Sequence, residues 1–206
     1  MRTHGWNGSP PADDDEERAR IVAATMRCVD RFGAKTGLAD VAAELGVTKA
    51  SLHYHFASKA ELGEALMSRY AQRFGEALSA VDDQVEDERD KLAAYADLYS
   101  DVLRGQRMCL CGMLAAEYET LPDPMRRTVL RFFDENEDWL EGVLEQGRRR
   151  GTLRFEGEAR DAARLIVSGL EGAMLVARPY GDPERFQAAA DRLLAGLAGV
   201  PERAAN

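Results

Sequence analysis

From Glu16 onward the apolar positions recur at helical spacing. Ile21, Thr25, Cys28, Val29 and Phe32 form one stripe, and Gly33 is a natural stop. Thr36 can cap a short helix carrying Leu38, Val41, Ala42 and Leu45, which Gly46 ends. Thr48 can cap a second short helix through Leu52 and Phe56. Ser58, with Glu61 three residues on, makes a capping box for a long helix bearing Leu62, Leu66, Tyr70 and Phe74, reaching about Val81. The charged stretch from Asp82 to Asp90 reads as a linker or helix end. Further helices are predicted at 90–105, 108–120, 123–149, 157–178 and 183–198, punctuated by Gly105, Leu121-Pro122, Gly151 and Gly181-Asp182-Pro183. Alternating β-branched runs are nearly absent, and no internal repeat is visible. The expected fold is all-α, with about nine helices.

Three regions follow from this pattern. Residues 1–15, with Gly5, Gly8, Ser9, Pro10, Pro11 and an Asp run, read as a disordered tail, in which Trp6 is either idle or a docking residue. Residues 16–62 form a compact three-helix head, and residues 63–206 a larger helical body. The chain of 206 residues carries a net charge of −9, but unevenly. Between Arg18 and Arg73 there are nine Lys/Arg against five Asp/Glu. A basic island on an acidic chain suits phosphate contact, which depends on local charge.

The head carries the most specific chemistry. Gly46, within Leu45-Gly46-Val47, permits a tight turn between two steeply crossed helices. Val41, Ala42, Val47 and Leu52 would hold that pair together. The outer face of the second helix is then Thr48, Lys49, Ser51, His53, Tyr54 and His55, all able to hydrogen-bond or carry positive charge. A short helix with such a face fits the DNA major groove. The bland alternative is a helical hairpin inside a core. His53 and His55, two residues apart, lie on different faces and have no third ligand nearby, so no metal is expected.

The run from Thr36 to Leu62, with its Leu52-x-x-His55-Phe56-x-Ser58-Lys59 block, resembles the DNA-binding signature of the TetR (TetR/AcrR type) family of bacterial regulators. The likeness extends from Ile21 to Leu66. It implies that residues 16–62 are a helix-turn-helix DNA-binding domain. It implies phosphate contacts from Thr36, Tyr54, His55 and Lys59, and base or sugar contacts from Thr48, Lys49, Ala50, Ser51 and His53. The family often has Tyr directly after the leucine; here His53 stands there and the aromatic moves to Tyr54, so which of the two reads a base stays open. It further implies a body, residues 63–206, that binds a small ligand and forms a homodimer, giving a repressor on a palindromic operator in double-stranded DNA.

In the body, Tyr95, Tyr99, Met108, Cys109, Met113, Tyr118, Phe132, Phe133, Trp139 and Met174 are candidates for an amphipathic ligand pocket, against the alternative of plain core packing. The stretch from Cys109 to Glu117 resembles TetR-type regulators that respond to aldehydes, acrylates and quinones. Cys109 and Cys111 lie near a predicted helix start with Arg104 and Arg107 close by, which favours thiolate. The readings are a redox or electrophile sensor, or two small buried hydrophobes; Cys28 reads as core. A dimer contact is expected on the last two helices, from Leu165, Ile166, Gly169, Leu170, Ala173, Met174 and Ala177, then Phe186, Ala190, Leu193, Leu194 and Leu197, with an intrachain contact as the alternative.

Other classes find little support. There is no nucleophile elbow, phosphate loop, HExxH or Cys/His ligand set, so no catalytic residue and no cofactor is expected. Glu117, Glu119 and the Asp134–Asp138 cluster read as solvated faces. A constitutive DNA-binding protein without ligand is the remaining alternative. No run approaches the roughly 18 apolar residues of a membrane span, the N-terminus has no apolar leader, and three cysteines make no disulfide framework. These features lead to the expectation of a cytoplasmic protein with no membrane partner.

Overall fold

The computed structural model describes residues 12–32 and 35–197. Trp6, most of the predicted tail and the predicted stop at Gly33 lie outside the described residues. Among the described residues there are nine α-helices and no strand. They are α1 (Ala12–Phe32), α2 (Leu38–Leu45), α3 (Lys49–His55), α4 (Lys59–Gln84), α5 (Glu88–Arg104), α6 (Leu110–Ala115), α7 (Asp123–Arg150), α8 (Ala159–Ala177) and α9 (Pro183–Ala195). The chain divides into two compact units, Met1–Arg69 and Tyr70–Asn206, and α4 has residues in both.

In the first unit, α1, α2 and α3 pack around Ile21, Ala24, Cys28, Val41, Leu52, Phe56 and Met67. Helix α1 starts at Ala12, so the acidic run predicted as tail joins its first turns. The cap of α2 is Gly37, not Thr36. Gly37 has no side chain to offer, and Asp40, in the first turn, accepts its N–H at 2.7 Å. Thr36 is itself buried. Gly46 ends α2 at φ +69°, and Val47 N–H returns to Ala42 O at 3.0 Å. A side chain there would meet the left-handed penalty, so the glycine sets the turn. Thr48 Oγ1 caps α3 by accepting Ser51 N–H. Ser58 Oγ accepts Glu61 N–H, while Glu61 reaches back to Ala57 N–H at 2.9 Å.

In the second unit, α8 packs against α5, α7 and α9. The predicted linker is shorter than expected: α4 runs to Gln84, and Asp87 caps α5 through Arg89 and Asp90 N–H. The predicted helix over 108–120 is broken into α6 and a 3₁₀ turn at Tyr118–Thr120. Pro122 pushes Leu121 into extended backbone and so stops that turn. Two glycines allow close approach. A Cβ on Gly147 would lie 2.5 Å from Leu153 Cδ1, and one on Gly169 would lie 2.7 Å from Leu193 Cδ2. Gly169 and Leu193, both candidates for the dimer contact, thus meet each other within one chain. Leu170 and Phe186 are fully buried in the protomer, and Leu197 is nearly so, so these three cannot themselves face a partner. They fill the α8–α9 core, and exposed Leu165 is the predicted contact residue most open to solvent.

Candidate functional site

The first unit presents the outer face of α3. Leu52 and Phe56 point inward at 1% and 2% exposure and anchor the helix. That anchoring leaves Thr48, Lys49, Ala50, His53, Tyr54 and Lys59 exposed, with Ser51 half-buried. Tyr54 is 84% exposed, an unusual cost for a large aromatic unless a partner covers it. Two predicted contacts sit differently. Thr36 is buried at the start of α2, and His55 is half-buried with Nδ1 2.6 Å from Asp14 Oδ1. The His55 carbonyl accepts from Arg18, whose guanidinium also binds Glu61 at 2.9 Å and lies over the Phe56 ring at 4.1 Å. Arg18 thus ties α1 to the end of α3 and the start of α4. Glu61 is held below its ordinary value by the Arg18 hydrogen bond. Neither Asp14 nor Arg18 was singled out from sequence, because the tie joins residues about forty positions apart.

The second unit holds a polar chain inside an aromatic core. Phe74 meets Tyr95, Tyr99 and Phe132 edge to face, and Trp139 stacks on Tyr95 at 5.7 Å. Tyr95 donates to Asn136 Oδ1 at 2.9 Å and pairs with the Tyr99 hydroxyl at 3.2 Å. Burial pushes both phenols well up, so both stay protonated donors. Tyr99 in turn bears on the Glu171 carboxyl, and Glu171 bears on Cys109.

Cys109 is the non-helical cap of α6. Its sulfur accepts Gly112 N–H at 3.5 Å, and its own N–H points to Met174 Sδ at 3.3 Å. The Cys111 thiol is the largest influence lowering the Cys109 thiol; Glu171, Gly112 N–H and Tyr70 add to it against burial, and bring it down to about 6. Burial pushes Cys111 the other way, so Cys111 is the donor of the pair. Burial, then the neighbouring Cys109, pushes Glu171 up to about 9. One sulfur with several donors is the arrangement that keeps a thiolate inside a protein.

Of the pocket residues predicted from sequence, Tyr95, Tyr99, Cys109, Phe132 and Met174 are buried. Met113 is half-buried. Trp139 donates to Asp82 at 2.8 Å, and Tyr118 lies in the 3₁₀ turn beneath Arg126. None of them lines the cleft of about 230 Å³ bounded by Leu92, Ala96, Leu153, Gln187 and Leu194 on the α5–α9 side. Sequence reasoning missed Tyr70 and Glu171 as site residues. Glu171 left a signal: it is the lone charge between Leu165 and Ala177.

A helix-turn-helix unit with an exposed polar recognition face, followed by a larger helical unit with a buried polar centre, defines a DNA-binding regulator with a separate helical domain. Residues 21–66 match the family model described as "Bacterial regulatory proteins, tetR family", and residues 74–193 match "Tetracyclin repressor-like, C-terminal domain". The chain belongs to the TetR family of bacterial transcriptional regulators. It is 24% identical over 156 residues to the HTH-type transcriptional repressor DhaR of Mycobacterium sp. (strain GP1), covering 75% of this chain and 78% of that one. A TetR-family regulator from Agrobacterium tumefaciens superposes with a TM-score of 0.85 at 29% identity, over 90% of this chain and 100% of that one. The reduced form of E. coli NemR superposes at 0.76 with 25% identity, over 88% and 97%. The family and these relatives are transcriptional regulators, not enzymes. Among the described residues no helix is long and apolar enough to cross a membrane.

Proposed function

We propose that this chain is a cytoplasmic repressor that binds a palindromic operator as a homodimer and is released by a small amphipathic or electrophilic molecule. The observation that carries the DNA part is the solvent-facing side of α3, anchored by Leu52 and Phe56 and held at its end by Arg18. Lys49, His53 and Tyr54 are free to reach the groove, and Lys59 to reach the backbone. His55 reaches phosphate only by leaving Asp14. A dimer is supported by Leu165, Leu175, Val176 and Tyr180, which expose apolar surface on α8 and the turn that follows it. A ligand acts by favouring a state less competent for DNA, at a coupling of about 1–3 kcal/mol.

The electrophile reading is favoured by the Cys109 centre, where a buried sulfur accepts Gly112 N–H and the neighbouring Cys111, Glu171 and Tyr70 help hold its thiol down to about 6. The test is fluorescence anisotropy of the purified chain on the promoter of its own gene, with a salt series. Nanomolar-range binding that weakens with salt and saturates at two protomers per site is expected. Absence of any sequence-specific complex at low salt would remove the repressor reading.

A further inference from the structure

Helices α5 and α9 pack together in the second unit and leave a cleft of about 230 Å³ between them. On α5 it is lined by Arg89, Leu92, Ala93 and Ala96, which recur at helical spacing and share one face. On α9 it is lined by Gln187, Asp191, Leu194 and Ala195, again one face. Leu92, Ala96 and Leu153 are buried and make an apolar floor, while Arg89 and Asp191 are exposed and stand at the rim. The space exists because Ala93, Ala96 and Ala195 are small where two helices meet. The apolar residues that α8 exposes, Leu165, Leu175 and Val176, do not line it.

Gln187 breaks the apolar lining. Its Nε2 donates to Asp191 Oδ1, one turn on, at 2.9 Å. That bond fixes the amide, because the flipped form would set its oxygen against a carboxylate. Gln187 Oε1 is then left buried with no hydrogen-bond partner. A buried acceptor without a donor is unfavourable, and a ligand that brings one N–H removes that cost. The charges at the rim are already engaged: Arg89 Nε donates to Thr152 O at 2.6 Å, and Asp191 accepts from Gln187. One charge of each sign gives no preference for a charged ligand. An apolar cavity of about 150 Å³ holds benzene, so this cleft has room for two fused rings. A rigid planar body fills it without freezing rotatable bonds.

We propose that the α5–α9 cleft is a second small-molecule site, which takes a neutral, planar fused bicycle carrying one N–H that donates to Gln187 Oε1. The floor of Leu92, Ala96 and Leu153 receives the ring faces, and Gln187 sets the orientation. A molecule seated there touches α5, α9 and the segment between α7 and α8 at once. Helix α5 also carries Tyr95 and Tyr99 of the buried polar chain. The site does not depend on the repressor reading, since its occupancy is measured without DNA.

The experiment is isothermal titration calorimetry of the full chain with indole, beside benzofuran, which has the same shape and an oxygen in place of the N–H. Indole is expected to bind once per chain with a Kd of about 10–100 μM. Benzofuran is expected to bind about tenfold more weakly, because it leaves the Gln187 acceptor unpaired. Gln187→Met, of similar length, should bring the two probes to the same affinity. Ala93→Phe fills the cleft from an exposed position on α5 and should abolish binding of both. Ala195→Phe, exposed on the facing helix, does the same from the other side and guards against misfolding of the first variant. No binding of indole, or binding undiminished in both filled variants, overturns the site. Equal affinity of the unaltered chain for the two probes overturns the hydrogen bond to Gln187. A failure here leaves operator binding untouched, and a failure of operator binding leaves this result standing.

Discussion

The two units bury polar chemistry in opposite ways. In the first, most functional groups lie outside: α3 turns Lys49, His53 and Tyr54 to solvent and keeps Leu52 and Phe56 inside. In the second, the functional groups lie within: Tyr95, Tyr99, Asn136, Cys109 and Cys111 are all buried, and Glu171 is half-buried with an enclosed carboxyl oxygen. Under the proposed function, the difference follows from what each would meet. A polyanion as large as DNA cannot enter a protein, so its partner surface has to be exposed and charged. A small molecule can be enclosed, and enclosure strengthens the few polar contacts that recognise it. The cost is that every buried polar group needs a partner, and the chain from Asn136 to Cys109 largely supplies them.

The contrast can be broken at the body first. Phe186→Ala removes a fully buried ring between α8 and α9 and is expected to lower stability by about 3–5 kcal/mol in chemical denaturation. A loss under 1 kcal/mol would mean that the α8–α9 core is not the support of the body.

Next comes the proton shared at the Cys109 centre. Cys109, lowered to about 6, stabilises the fold above its unfolded value near 9.0, and that contribution is lost as pH falls through about 6. Glu171, raised to about 9, contributes below its ordinary 4.5, and loses the contribution as pH rises through about 9. Between these limits the folded and unfolded states each hold one proton on the pair, so thermal stability should be flat from about pH 6 to 8.5. Cys109→Ser should tilt it downward with rising pH and Glu171→Gln upward, each by at most about 1.4 kcal/mol per pH unit. Two parallel flat lines would dismiss the proton exchange.

At the head, Lys59→Ala should weaken operator binding by about tenfold and lower the salt slope by about one, with the melting temperature unchanged. An unaltered slope would place Lys59 away from phosphate. The smallest effect is at the cap. Thr48→Ala removes the acceptor for Ser51 N–H and should cost about 1 kcal/mol of head stability, read by hydrogen exchange at α3.

The head was legible in sequence because its signals are local. Gly46, Thr48, Ser58 and Glu61 sit at the ends of the helices that they start or stop. The nine helices were legible from periodicity, apart from the break of 108–120 into α6 and a 3₁₀ turn. Cys109 could be suspected from its neighbours in the chain, but the reason expected was wrong in part. Donors from Cys111, Glu171, Gly112 and Tyr70 lower it, rather than Arg104 or Arg107. Gly169 packs on Leu193 within the chain, the alternative that the sequence left open beside a dimer contact, because small residues signal close approach without saying to what.

By itself, then, the order of residues determined the helices, the turn at Gly46 and the polar face of α3, since each depends on spacing within a few residues. Only the tertiary structure decided that Asp14 would hold His55 and that Tyr70, Cys109 and Glu171 would meet. Those residues come from helices far apart in the chain, and packing in three dimensions sets which side chains share a proton.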